Sequence, residues 1–197
     1  MPEFDSAGSV EGSRSIKDKF LYVNNKLRKA NFEKIAEIVK KTDKTLYWKG
    51  AFLRLPKSAN RAGFADRRSY KYNGEIIDHQ VHLGIDLASV AHSPVPAANK
   101  GMVAFTGSIG IYGKTIIIDH GSDLFSMYSH LSSIAVQKDQ ILLKGAILGR
   151  TGTTGLAGGD HLHFSILVNN VFVNPLEWWD KDWIKNNISS KLDAIIK

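Results

Sequence analysis

The chain has 197 residues, with 43% hydrophobic and 23% charged residues, 17 Gly and 5 Pro, which excludes a disordered or collagen-like chain and suits one domain with appendages or two very small domains. With no Cys, neither a disulfide framework, a thiolate metal site nor a cysteine nucleophile can form, so any metal must be held by His and carboxylates. The net charge of +7 is concentrated between Lys17 and Lys44, where basic residues clearly outnumber acidic ones; that is the pattern of a solvated basic helix face.

Residues 1–14 lack a basic stretch followed by an apolar one, so they read as a tag or flexible lead-in rather than a secretory signal. If the protein is exported, its signal or membrane anchor is expected outside this sequence. Residues 15–45 form the next unit: Phe20, Leu21, Val23, Leu27, Phe32, Ile35, Ile38 and Val39 recur at helical spacing, predicting one long helix or two short ones broken near Asn31.

From residue 46 to 176 the texture changes to short apolar runs cut by Gly, Pro, Asn and Asp. Gly101 to Phe105, Thr115 to Ile118, Phe125 to Tyr128 and His161 to Val168 read as antiparallel strands. The tail, 177–197, places Trp178, Trp179, Trp183, Ile184, Ile188 and Leu192 at helical spacing, predicting a terminal helix packed on the body or on the N-terminal helix. The tryptophans share the stripe with Ile and Leu, which favours packing over a carbohydrate platform.

Three groups of histidines carry chemistry. His82-Leu-Gly-Ile-Asp86 sets an imidazole and a carboxylate beside a glycine. His161-Leu-His163-Phe-Ser follows a glycine-rich loop, and residues two apart on a strand face the same side, so both imidazoles project into one site. Tyr128-Ser-His130-Leu-Ser adds a third group. Together they supply the ligands and proton-transfer groups of a catalytic zinc with an open position for water. His79, His92 and His120 read as structural or supporting.

The order His82-x-Gly-x-Asp86, Pro94-Val-Pro-Ala-Ala, Tyr112-Gly-Lys-Thr, Tyr128-Ser-His-Leu-Ser132, Lys144-Gly-x-x-Leu-Gly149, Thr151-Gly-Thr-Thr-Gly155 and His161-Leu-His-Phe164 resembles the lysostaphin/LytM-type peptidoglycan metallopeptidases. The resemblance covers roughly Gly63 to Leu176. It implies a mainly β fold, a small antiparallel domain like a distorted sandwich, here with flanking N-terminal and C-terminal helices. It also implies Zn2+ on His82, Asp86 and His163, with His130 and His161 as the catalytic histidines, either of which could be the base. The implied activity is hydrolysis of peptidoglycan stem-peptide cross-links by a D,D-endopeptidase, in the periplasm or at the cell surface. D,D-carboxypeptidase action, or a non-catalytic module that activates an amidase, is the alternative. The expected partners are peptidoglycan and a regulatory protein, not nucleic acid. Phe64-Ala-Asp-Arg67-Arg68 resembles the segment that leads into the first metal motif, with the two arginines as candidates for a substrate carboxylate. Asn60, upstream of His82, is a candidate latency ligand.

Overall fold

A computed structural model describes residues 15–195. The expected tag or lead-in, 1–14, lies outside the described residues. The chain opens with a helical segment made of α1 (Ile16–Leu21), a π-helical turn (Tyr22–Leu27) and α2 (Arg28–Val39). Ser15 caps α1 by accepting a hydrogen bond from the Asp18 amide. The expected break near Asn31 is corrected: the irregularity is the π turn, one to two turns earlier. Asn31 sits buried within α2, its Oδ1 accepting the Ile111 amide at 2.9 Å.

The body follows as β1 (Ala59–Ala62), β2 (Arg67–Tyr72), β3 (Glu75–Val81), β4 (Ile85–Ala88), β5 (Pro94–Pro96), β6 (Gly101–Ile109) and β7 (Gly113–Asp119). It continues with β8 (Leu124–Leu131), β9 (Ser133–Ile134), β10 (Ile141–Leu142), β11 (Ile147–Arg150), β12 (Leu162–Val168) and β13 (Val171–Val173). All named pairings are antiparallel. The main sheet runs β1-β4-β12-β8-β7-β6-β10 with β13 on β12; β5-β11-β9 form a second sheet and β2-β3 a hairpin. The fold is mainly β with helices at both ends, as expected.

Both faces of the main sheet are covered, so its central strands β8 and β12 are buried along almost their whole length rather than on alternate residues. On β7, Ile116 and Ile118 join the core that includes Val95 and Leu148 of the second sheet, while Ile117 joins Ile35 and Val39 of α2 on the opposite face. The N-terminal helix therefore closes one side of the body. No helix among the described residues is long and apolar enough to cross a membrane.

The tail is corrected from one helix to several. α3 (Pro175–Trp179) starts with proline behind an Asn174 cap. Asp180 then adopts an extended conformation and caps α4 (Lys181–Ile184), which runs through a π turn (Lys185–Ser189) into α5 (Ser190–Ile195). The bend lets Trp178 and Ile184 enter the same core. Trp178 packs edge-on against Trp48 and Phe52, which is the packing role expected of the tail tryptophans.

Candidate metal centre

Three elements bring His82, Asp86 and His163 together. Asp86 on β4 lies directly opposite His163 on β12, and His82 opens the link from β3 to β4. A glycine is required between His82 and Asp86 because the turn presses onto β12. A Cβ on Gly84 would come within 2.6 Å of His163 Nε2, the Phe164 carbonyl and Ser165 Oγ.

His82 Nε2 and His163 Nδ1 are 3.0 Å apart, and they lie 3.0 and 2.9 Å from Asp86 Oδ1. The outer nitrogen of each ring has a partner that fixes its proton. His82 Nδ1 faces the Gly63 carbonyl at 2.7 Å and so carries a hydrogen. His163 Nε2 lies 3.0 Å from Ser165 Oγ, whose own proton goes to the Leu83 carbonyl at 2.7 Å, so it too must donate. For neutral imidazoles, the inner nitrogens are then lone pairs facing each other and a carboxylate oxygen, in a buried setting with no proton between them.

That arrangement calls for a cation. Ligands about 2.0–2.2 Å from a tetrahedrally bound ion stand roughly 3.3–3.6 Å apart, so these three donors need to spread by only about half an ångström to take one, and backbone or hydroxyl acceptors behind the imidazoles are the usual support of such ligands. Among the described residues, these three form the group of His and acidic side chains whose ligand atoms converge within 4.8 Å.

His130 and His161 complete the group. β8 carries an extra residue against β7, advancing from Tyr128 to Leu131 while β7 goes from Ile116 to Lys114, and His130 occupies the bulge at φ 62°. Its ring lies 4.8 Å from that of His161 and 5.9 Å from that of His163. His130 Nδ1 faces the Thr154 carbonyl and His161 Nδ1 the Gly159 carbonyl, each at 2.8 Å, so both rings present Nε2 to the cleft. His161 Nε2 is 3.6 Å from Asp86 Oδ1.

The electrostatics follow from burial and from the single carboxylate. Burial alone would raise the Asp86 carboxyl, but the imidazoles of His161, His163 and His82 gathered around it hold it well below the usual range. Burial, aided by the charges of His163 and His161, pushes His130 down to about 3. Burial also lowers His163, whereas at His161 the Asp86 carboxylate and the Gly159 carbonyl outweigh burial and raise it. Tyr112, whose ring centroid is 5.4 Å from that of His163, is pushed up to about 12 by burial and stays neutral.

The structure brings all five expected residues into one cleft. The other histidines lie elsewhere: His79 pairs with Ser69, His92 with Ser132, and His120 is buried beside Phe52. Arg68 forms an ion pair with Asp86 at 3.3 Å, whereas Arg67 is exposed. Asn60 points away from any latency role, accepting a hydrogen bond from Arg54 Nη2 at 2.7 Å, and is not part of the cleft lining. The sequence reading missed Ser165 and the Gly63 carbonyl as supports and Arg28 and Tyr112 as cleft residues. For Ser165 a signal existed, since it lies two residues beyond His163 on the same strand face.

The family model described as Peptidase family M23 matches residues 80–175. The DD-carboxypeptidase/endopeptidase Mpg of Neisseria meningitidis is 35% identical over 97 residues, covering 49% of this chain and 22% of that protein. The peptidoglycan DD-endopeptidase ShyA of Vibrio cholerae is 31% identical over 130 residues, covering 64% of this chain and 30% of that protein. The chain thus spans less than a third of the length of these relatives. Among solved structures, an M23 peptidase from Pseudomonas aeruginosa superposes with a TM-score of 0.66 at 26% identity, covering 79% of this chain and 62% of that one.

Proposed function

On the match of residues 80–175 to the model of peptidase family M23, we propose that the chain is a member of that family and a zinc-dependent peptidoglycan hydrolase that cuts peptide cross-links as a D,D-endopeptidase. The observation that carries this reading is the meeting of three lone pairs, from His82, His163 and Asp86, with no proton between them. The donor set of two imidazoles and a carboxylate suits zinc, and it leaves a coordination position for water or substrate.

In this reading His82, Asp86 and His163 hold the zinc, which when bound supplies a Lewis acid for the scissile carbonyl and acidifies water near neutral pH. His130 and His161 take up and return protons through Nε2, because their Nδ1 hydrogens are committed to carbonyls. One equivalent of water is consumed: its oxygen goes to the carbonyl carbon, the C–N bond breaks, and the leaving nitrogen takes a proton. The neutral phenol of Tyr112 borders the same cleft and adds no charge to it. In this reading the protein works in the periplasm or at the cell surface, where such a substrate lies, and the names of ShyA and Mpg support the substrate class.

The test is metal analysis paired with digestion of purified peptidoglycan, with products resolved by mass spectrometry. The expected result is about one zinc per chain and loss of cross-linked dimers, both absent in His163→Ala. Loss of terminal D-Ala alone would replace endopeptidase by carboxypeptidase action. Zinc-free protein would overturn the catalytic reading.

A further inference from the structure

The cleft, about 650 Å³, extends beyond the five residues to a wall that the main sheet does not build. Phe20 of α1 and Arg28 of α2 line it, together with Arg68 and Tyr70 of the β2-β3 hairpin. Helix and hairpin are locked to each other: the Phe20 and Tyr70 rings are 5.1 Å apart, and Asn24 and Asn25 both donate to Asp78 Oδ2. Gln80 Nε2 donates to the Asn24 carbonyl at 3.1 Å.

Asn24 is fully buried in this contact and fixes Arg28. Its Oδ1 accepts from Arg28 Nη2 at 2.7 Å and its carbonyl accepts from Arg28 Nε at 3.2 Å. A guanidinium has five N–H donors, so two bonds orient the fork and leave donors over. The two arginines differ in their partners. Arg68 already has the Asp86 carboxylate, whereas no ion pair joins Arg28 to a carboxylate among the described residues. Arg28 is also close enough to Tyr112 for its charge to act on that phenol, and Tyr112 packs against His163. An oriented, half-buried cation without a counter-charge thus stands one side chain away from the proposed zinc ligands.

We propose that Arg28 anchors a free carboxylate of the bound peptide, which makes the N-terminal helix part of the substrate site. This rests on the peptidase reading, since the anions of an unmodified peptide are its carboxylates. A guanidinium fork matches the planar carboxylate, and the Phe20 and Tyr70 rings offer an apolar flank for the adjoining side chain.

The test uses an uncleavable stem pentapeptide, N-methylated at its D-Ala-D-Ala bond, with its carboxylates free, and a fully amidated twin. Binding of both to the zinc-loaded wild type, Arg28→Gln and Arg28→Lys is followed by fluorescence anisotropy, while the wild type is assayed separately on peptidoglycan. The expected result is that amidation weakens wild-type binding about tenfold or more, that Arg28→Gln binds the two peptides alike, and that Arg28→Lys restores part of the preference. Equal binding of acid and amide by the wild type, or undiminished discrimination by Arg28→Gln, overturns the anchor. The wild-type comparison does not depend on how the variants fold. Discrimination without peptidoglycan cleavage keeps the anchor and overturns the hydrolase reading; cleavage without discrimination does the reverse.

Discussion

His120 and His163 are both buried histidines on the same framework, yet they do opposite things. His120 has both nitrogens engaged, Nδ1 with the Lys100 carbonyl and Nε2 with Ser126 Oγ, each at 2.7 Å, and Ser126 in turn bonds the Tyr128 hydroxyl. Its ring packs edge-on to Phe52 at 4.8 Å. His163 has one nitrogen engaged in the same manner and turns the other towards His82 and Asp86. Burial alone therefore does not make a histidine functional. An inward lone pair left without a proton donor does.

Exchanging the two roles by mutation separates them most sharply. His163→Ala is expected to drop zinc from about one equivalent to nearly none and cleavage by about a thousandfold or more, because a three-ligand site does not survive with two. His120→Ala should keep its zinc and lose about 2–4 kcal/mol of stability, from the cavity and the hydrogen-bond partners left behind. Metal analysis and chemical denaturation of both variants check this; retained zinc in His163→Ala would erase the distinction.

A smaller effect tests what lies behind the ligand. Ser165→Ala removes the acceptor that fixes the His163 tautomer, and zinc affinity should fall about 10–100-fold, measured by competition with a chelator.

The pH dependence of stability sharpens the other side of the comparison. Burial lowers His120 to about 4, below the ordinary imidazole value of about 6.5, so the unfolded chain binds the proton more readily. The neutral imidazole's stabilisation is present above about pH 6.5 and is lost as pH falls towards 4. Thermal melts of the metal-free protein should show this acid loss, and His120→Gln should show a shallower one; identical slopes would assign it elsewhere. The smallest expected effect is none: Asn60→Ala should leave peptidoglycan cleavage unchanged, because Asn60 is occupied by Arg54 and lies outside the cleft lining. A gain in activity would restore the latency idea.

The sequence was most readable where the chemistry is local. His82 to Asp86 is a short turn whose glycine is explained by the approach of His163, and period-two alternation puts His161, His163 and Ser165 on one face of a single strand. The mainly β body and its two helical ends follow from hydrophobic periodicity. The position of the helix irregularity and the bend at Asp180 do not, because both depend on what the helices pack against. Asn31 looked like a breaker by type, but its amide oxygen is committed to a loop 80 residues away.

What the sequence determined by itself is therefore the donor set and its grouping: two imidazoles and a carboxylate, two further imidazoles, and no thiol. Only the tertiary structure decided how they meet. Cross-strand register set Asp86 against His163, a bulge in β8 turned His130 into the cleft, and packing of the N-terminal helix on the hairpin delivered Arg28. Side-chain direction along one strand is fixed by local backbone geometry and can be read from spacing. Register, bulges and helix docking are settled by pairing and burial between distant segments, which no local pattern encodes.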